Sequence, residues 1–194
     1  TYSSSDRSVA VAYARQYTVD GAISGNGYDG SAYNNNQFKY YKYKNDCQNL
    51  VSQSIWYGLG GRNSSTHSYP MTPKWWGDTT TSSFVDLKWN WVNTSDFYTM
   101  VTTNYSNNDN VIQGYATTPS NLQIGDYIYV PGHVLFVTKL LDNNGNGIIE
   151  YGEIYVTAHT YNHEDYSLAA IYTSVAPSNM RFVHIYRNKW NTGM

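Results

Sequence analysis

Residues 126–160 read DYIYVPGHVLFVTKLLDNNGNGIIEYGEIYVTAHT, and this stretch decides the fold of the chain. Apolar and polar residues alternate in it with a period of two, which predicts strands over 126–130, 133–141 and 153–160. Proline, glycine and asparagine residues interrupt these runs, and a fourth alternating run follows at 180–187. Short consecutive strands of this kind predict an antiparallel sheet.

Helical periodicity dominates the chain before Pro119. Helices are predicted over 6–17, 47–57 and 95–104, each with a capping residue near its start and apolar residues on one stripe. Helices followed by antiparallel strands predict the α+β class, with the helices packed on the sheet. The sequence contains no internal repeat or linker, so we expect a single domain over residues 1–194.

The composition excludes several classes of partner. The chain has 194 residues, of which 41% are hydrophobic and 13% charged, and its net charge is −2 with an isoelectric point near 6.1. This balance lacks the basic footprint of a protein that binds nucleic acid. No apolar run approaches the roughly 20 residues needed to span a bilayer, so no membrane span is expected. We expect a monomer without an organic cofactor.

The chain has a single cysteine, which cannot form an intramolecular disulfide framework. Its polar residues are mainly Asn, Ser, Thr and Tyr, a composition typical of a secreted bacterial protein. The sequence begins at Thr1 rather than at a methionine, so we expect that a signal segment was removed. The predicted location is therefore secreted or in the cell envelope.

Cys47 lies at the predicted start of the second helix. Unpaired backbone N–H groups and the helix macrodipole favour an anion there, which should lower the pKa of the thiol and increase the fraction of nucleophilic thiolate. The same N–H groups could hold the oxyanion of a tetrahedral intermediate. The alternative is a buried cysteine that packs as a small hydrophobic residue.

A thiolate nucleophile requires a base, and two histidines are placed to provide one. His133 opens the strand at 133–141, and His159 lies at the end of the next predicted strand. Two consecutive antiparallel strands should bring these side chains near each other. Each of them could instead be a structural histidine.

His159 and His163 also have the H-x3-H spacing of a zinc site, and Glu164 follows them. That spacing places two ligands on one face of a helix, whereas His159 belongs to a predicted strand. No third ligand occurs at a regular spacing, so zinc is not expected.

The segment DNNGNGIIEYGE at 142–153 matches every specified position of the D-x-[DN]-x-[DN]-G-x5-E calcium loop. Such a loop surrounds the cation with oxygen atoms. The predicted ligands are Asp142, Asn144, Asn146, Ile148, Glu150 and Glu153. The sequence therefore predicts a structural Ca²⁺ site between the two histidine strands, and the alternative is a solvated Asn/Gly hairpin loop.

Aromatic residues lie on both sides of the cysteine in the sequence. Tyr41 and Tyr43 directly precede it and, with Trp75, could line a groove for a sugar or peptide substrate. Asp46 and Asn162 complete the candidate substrate-binding residues. For the tryptophan, packing in the core is the alternative.

The segment DCQNLVSQS at 46–54 resembles the DC-[T/S]-N-F-V-S-Q signature of the putative amidase domain family of bacterial cysteine hydrolases. It is also similar to the DCSGLV segment of the NlpC/P60 cell-wall peptidases, to which this family and the CHAP peptidases are related. Further blocks occur in the order of the family: DRSVAVAYA, the Trp75-Trp76 pair, IGDYIYV, GHVLFVT and VTAHTYN. Gln48 and Leu50 depart from the signature, where Thr or Ser and Phe are usual.

The resemblance implies a papain-like (NlpC/P60-like) fold and a cysteine hydrolase that cleaves an amide bond in cell-wall peptide material such as peptidoglycan. It implies Cys47 as the nucleophile, His133 as the general base and His159 as the polar third residue, with Asn162 as the alternative for that role. Two other functions stay open. One is an acyltransferase that uses the same Cys–His pair, and the other is a non-catalytic, calcium-stabilised binding module.

Overall fold

The computed structural model describes residues 1–18, 38, 46–61, 71, 75–77, 89–103, 112–160, 162–173 and 176–188. The helices in these residues are α1 (Ser4–Gln16), α2 (Cys47–Gly58), α3 (Trp89–Val92), α4 (Thr94–Thr102) and α5 (Leu168–Tyr172). The strands are β1 (Ile112–Thr117), β2 (Tyr127–Val130), β3 (His133–Leu140), β4 (Ile154–Ala158), β5 (His163–Ser167) and β6 (Arg181–Asn188). The α+β class and the antiparallel sheet predicted from the sequence are confirmed.

The six strands of the described residues form one sheet in the order β1-β6-β2-β3-β4-β5, and every neighbouring pair is antiparallel. The four predicted strands correspond to β2, β3, β4 and β6. The edge strands β1 and β5 were not predicted. The register of β1 against β6 shifts at Gly114, and β5 has the polar sequence HEDYS without apolar alternation.

The sheet has a hydrophobic core on each face. Val134 and Phe136 of β3 pack in the core that contains α1, α2 and α4, whereas Leu135 and Val137 pack in the core on the other face, with α5. Helix α2 packs against both α1 and β3. A Cβ atom at Gly58 would lie 2.6 Å from the carbonyl oxygen of a residue in α1. This close contact fixes the end of α2 against α1.

Two helices of the described residues begin at well-formed caps. Ser3 and Asp6 form a capping box at the start of α1, and the Asn93 side chain accepts the backbone N–H groups of Ser95 and Asp96 at the start of α4. These bonds satisfy N–H groups that the helix itself leaves without partners. None of the helices in the described segments is long and apolar enough to cross a membrane.

Candidate active site

Cys47 is the first residue of α2, and its side chain is fully buried against β3. The backbone N–H groups of Val134 and Gln48 lie near its sulfur and favour the charged form of the thiol. Burial has the larger effect and raises the pKa of the thiol from 9.0 to about 11, and the charge of Asp46 adds to the rise. The prediction of a lowered thiol pKa is therefore wrong, because the loss of hydration outweighs the N–H groups at the helix start.

His133 begins β3, directly before Val134. Burial and, to a smaller extent, the nearby His163 ring together lower the pKa of its imidazole from 6.5 to about 4. The ring is therefore neutral at pH 7 and able to accept a proton. The Cys47 sulfur and the His133 ring, both described, are not hydrogen-bonded to each other, although the sulfur contacts the residue that follows the histidine.

His159 follows β4 and is almost fully buried. Its Nδ1 atom lies 2.5 Å from Asp46 Oδ2, and its Nε2 atom lies 2.6 Å from the carbonyl oxygen of Tyr17. The hydrogen bonds of both ring nitrogens therefore go to the start of α2 and the end of α1 rather than to His133. The role of His159 as the third catalytic residue stays a prediction.

Asp46 is at the centre of a buried polar network. Its Oδ1 atom accepts a hydrogen bond from Asn49 Nδ2 at 2.8 Å, and Asn49 Oδ1 in turn accepts one from Trp91 Nε1 at 2.8 Å. The backbone N–H of Asp46 donates to Thr160 Oγ1 at 3.1 Å. The network ties the start of α2 to α3 and to the turn after β4. The carboxylate thus faces protein groups, and its contact with substrate stays a prediction.

The other candidate substrate-binding residues lie in different environments. Trp75 is fully buried, and its ring centre lies 4.7 Å from that of Trp91, so it packs in the core. Asn162 is buried in the turn before β5. Tyr41 and Tyr43 lie outside the described residues.

A cavity of about 300 Å³ lies between the start of α4 and the turn that leads into β3. Its lining residues are Val92, Asn93, Thr94, Ser95, Tyr129 and Gly132. None of them is charged, so the cavity suits a neutral polar group. No motif in the sequence predicted these lining residues. The available signals were the Asn-Thr-Ser start of a helix and Gly132, whose φ of +83° favours glycine.

A family model described as a putative amidase domain matches residues 4–185. The chain belongs to the putative amidase domain family. No curated protein and no solved structure matches it. The family match extends from α1 into β6 and includes both Cys47 and His133.

The amidase domain carries the predicted calcium loop between β3 and β4. Each carboxylate of Asp142 and Glu153 accepts two backbone N–H groups of the loop, at distances between 2.6 and 3.1 Å. The side-chain oxygens of Asn144 and Asn146 each accept one, at 3.0 and 2.7 Å. Gly147 has a φ of +77°, in the region that favours glycine. The loop thus orients its side-chain oxygens with its own backbone.

These oxygens each have a further lone pair that a cation could use. The described part of the amidase domain contains no cluster of three His, Cys, Asp or Glu side chains that could hold a metal ion. The predicted calcium ligands include two asparagine side chains and the backbone carbonyl of Ile148, which are not among these four side-chain types. Calcium binding by the loop stays a prediction.

Proposed function

We propose that this member of the amidase family hydrolyses an amide bond with Cys47 as the nucleophile and His133 as the general base, in one domain that spans the chain. The family match supports the class of reaction. The observation that carries the residue assignment is the packing of α2 on β3, which buries Cys47 in one core cluster with Val134, the residue next to His133.

The two groups would react from their neutral forms. The thiol pKa is raised and the imidazole pKa is lowered, so no thiolate–imidazolium pair is present at pH 7. His133 accepts the thiol proton as the bond from sulfur to the carbonyl carbon forms, and backbone N–H groups at the start of α2 stabilise the oxyanion. The proton then passes to the departing amine as the C–N bond breaks. Water attacks the resulting thioester, with His133 as base, and releases the acid and the thiol.

The lowered pKa of His133 predicts activity that persists into acid. The imidazole is a competent base above its pKa of about 4, so kcat/KM should fall only as the pH drops through about 4. His163→Gln removes the smaller of the two causes of the lowered His133 pKa. The pH at which kcat/KM falls should therefore rise slightly. The measurement is kcat/KM from pH 3 to 8. An acid limb near the ordinary value of 6.5 would contradict the assignment.

We further propose that the substrate is the peptide part of peptidoglycan and that the protein acts outside the cell or in its envelope. The similarity of DCQNLVSQS to the cysteine segment of cell-wall peptidases supports this choice. The test is digestion of purified peptidoglycan by the wild type and by Cys47→Ala, with mass analysis of the products. Fragments from both proteins would contradict the role of Cys47, and none from the wild type would contradict the substrate.

Two alternative functions have distinct outcomes in the same digestion. If an added amine such as glycinamide is incorporated into the fragments, the thioester is passed to an amine, and the protein is an acyltransferase. If the wild type sediments with peptidoglycan and releases nothing, it is a binding module. Released fragments with a free carboxylic acid support hydrolysis.

We also propose that the loop at 142–153 binds Ca²⁺ as a structural ion. The oxygen-only donor set and its orientation by backbone N–H groups support this. The residues that would hold the ion are Asp142, Asn144, Asn146, Ile148, Glu150 and Glu153. Bound calcium would fix β3 relative to β4, and β3 begins at His133.

Calcium is expected to raise the melting temperature of metal-stripped protein. At one hundred times the dissociation constant the stabilisation is about 2.7 kcal/mol, which corresponds to about 5–10 °C in a domain of this size. Glu153→Gln should abolish most of the shift, because it removes a carboxylate ligand. Glu164→Gln makes the same charge change outside the loop and should keep the full shift. Equal melting curves in excess calcium and excess chelator would contradict calcium binding.

A further inference from the structure

The start of α2 lacks the side-chain cap that its sequence offers. Asp46 occupies the N-cap position, where an aspartate ordinarily accepts a hydrogen bond from an N–H group of the first turn. Its carboxylate makes no such bond. Ser3 and Asn93, at the N-caps of α1 and α4, both cap their own helices. Asp46 therefore differs from them in the direction of its side chain.

His159 accounts for this direction. The Tyr17 carbonyl can only accept a hydrogen bond, so the Nε2 atom of His159 carries a proton. The second contact, from Nδ1 to Asp46 at 2.5 Å, is either an imidazolium–carboxylate pair or a neutral ring that shares the proton of a carboxylic acid. In both states the pair has no net charge, which suits two side chains that are 2% and 3% exposed.

Two neighbouring contacts hold Asp46 in the same orientation. Asn49 Nδ2 donates to the carboxylate oxygen that does not contact His159. Thr160 Oγ1 accepts the Asp46 N–H, and Thr160 has a φ of +60°, which a β-branched residue rarely adopts. A strained backbone of this kind persists only where its surroundings determine it. The carboxylate is therefore held by side chains at both oxygens, by His159 at one and by Asn49 at the other, and not by the backbone N–H groups of α2.

The first turn of α2 uses its N–H groups differently as a result. The N–H groups at the start of α2, that of Gln48 among them, lie near the Cys47 sulfur and favour its charged form. A carboxylate that capped the helix would take the N–H of Gln48 or of Asn49. It would also bring its negative charge closer to the sulfur, and the charge of Asp46 already raises the pKa of the thiol. Both changes would disfavour a thiolate and an oxyanion.

We propose that His159 is a positioning residue that draws the Asp46 carboxylate away from α2, so that the Gln48 N–H stays available to the Cys47 sulfur and to the oxyanion formed beside it. This inference rests on the proposed role of Cys47. It requires a specific coupling: loss of His159 alone should be more harmful than loss of His159 together with the Asp46 carboxylate. If His159 instead acted by orienting the His133 ring, removing the Asp46 carboxylate as well would not restore activity.

The test compares His159→Phe with the double variant His159→Phe/Asp46→Ala. We expect the single variant to lower kcat by about tenfold or more, because an oxyanion donor is lost, while KM changes little. The rate at which iodoacetamide alkylates Cys47, followed by intact mass, should fall with kcat. The double variant should recover about threefold or more in both measurements, because no carboxylate remains to cap the helix.

His184→Phe is the matched control. It also deletes a buried histidine whose Nδ1 atom lies 2.8 Å from a carboxylate, that of Asp126. Its melting temperature should fall while kcat and the alkylation rate stay near those of the wild type. An equal loss of kcat in this control, or no recovery in the double variant, would overturn the inference. His159→Gln, which keeps one donor, replaces His159→Phe if that variant does not fold, and should show a smaller loss with the same recovery.

Alkylation separates this inference from the proposed function, because it requires no substrate. If the wild type cleaves no amide and the alkylation rates still fall in His159→Phe and recover in the double variant, the proposed function fails and the positioning role holds. If amide cleavage depends on Cys47 but the alkylation rates of the variants are equal, the positioning role fails alone.

Discussion

Cys47→Ala and His133→Gln are each expected to lower kcat/KM by about a thousandfold or more, and the double variant is expected to be no worse than either. The two side chains act as one unit, because the neutral thiol becomes a nucleophile only as the neutral imidazole accepts its proton. With a thiol pKa of about 11, only about one thiol in ten thousand is ionised at pH 7 if no base assists. Removing His133 therefore leaves almost no nucleophile, and removing Cys47 leaves the base without a proton to accept.

The pH dependence of the two variants separates their roles. In His133→Gln, hydroxide must replace the base, so the residual rate should rise by about tenfold per pH unit between pH 7 and 9. Cys47→Ala should show no such rise, and Cys47→Ser keeps the shape of the site with a weaker nucleophile. The measurement is hydrolysis of a purified peptidoglycan fragment. Losses that multiply in the double variant would contradict a shared step.

The arrangement of helices and strands could be predicted to the extent that local periodicity encodes it. Helices α1 and α2 and strands β2, β3, β4 and β6 carry clear stripes or alternation, and each was predicted to within a few residues. Strand β5 could not be predicted, because its sequence HEDYS has no apolar alternation. It is an edge strand that pairs with β4. The start of α4 at Thr94 is fixed by Asn93, whose side chain accepts the N–H groups of Ser95 and Asp96.

The candidate site was less predictable, because its chemistry depends on contacts between distant segments. The position of Cys47 at a helix start follows from local sequence, whereas the rise of its pKa comes from burial against β3, which no local pattern reports. His159 was assigned by the order of the strands. Its partner Asp46 is 113 residues away in sequence, and a pattern of strand residues gives no sign of that pairing.

Arg7→Met is expected to lower the free energy of unfolding by about 3–5 kcal/mol, because it breaks a buried ion pair on one side only. Arg7 of α1 is 2% exposed, and its Nη1 atom lies 2.7 Å from Oδ1 of the fully buried Asp126. Asp126 also accepts His184 Nδ1 and the backbone N–H groups of Gln123 and Ile185. This carboxylate therefore joins α1, β2 and β6, and without Arg7 it loses its buried ionic partner in the core.

Urea unfolding measures this effect, with an unchanged m value as evidence that both variants unfold in the same way. Arg15→Met is the matched control, since Arg15 pairs with Asp165 where the two side chains are 37% and 29% exposed, and it should cost less than about 1 kcal/mol. Arg7→Met/Asp126→Asn should recover part of the loss, because the unpaired charge is removed. A double variant that recovers nothing would show that Asp126 stabilises the fold through its backbone N–H partners rather than through Arg7.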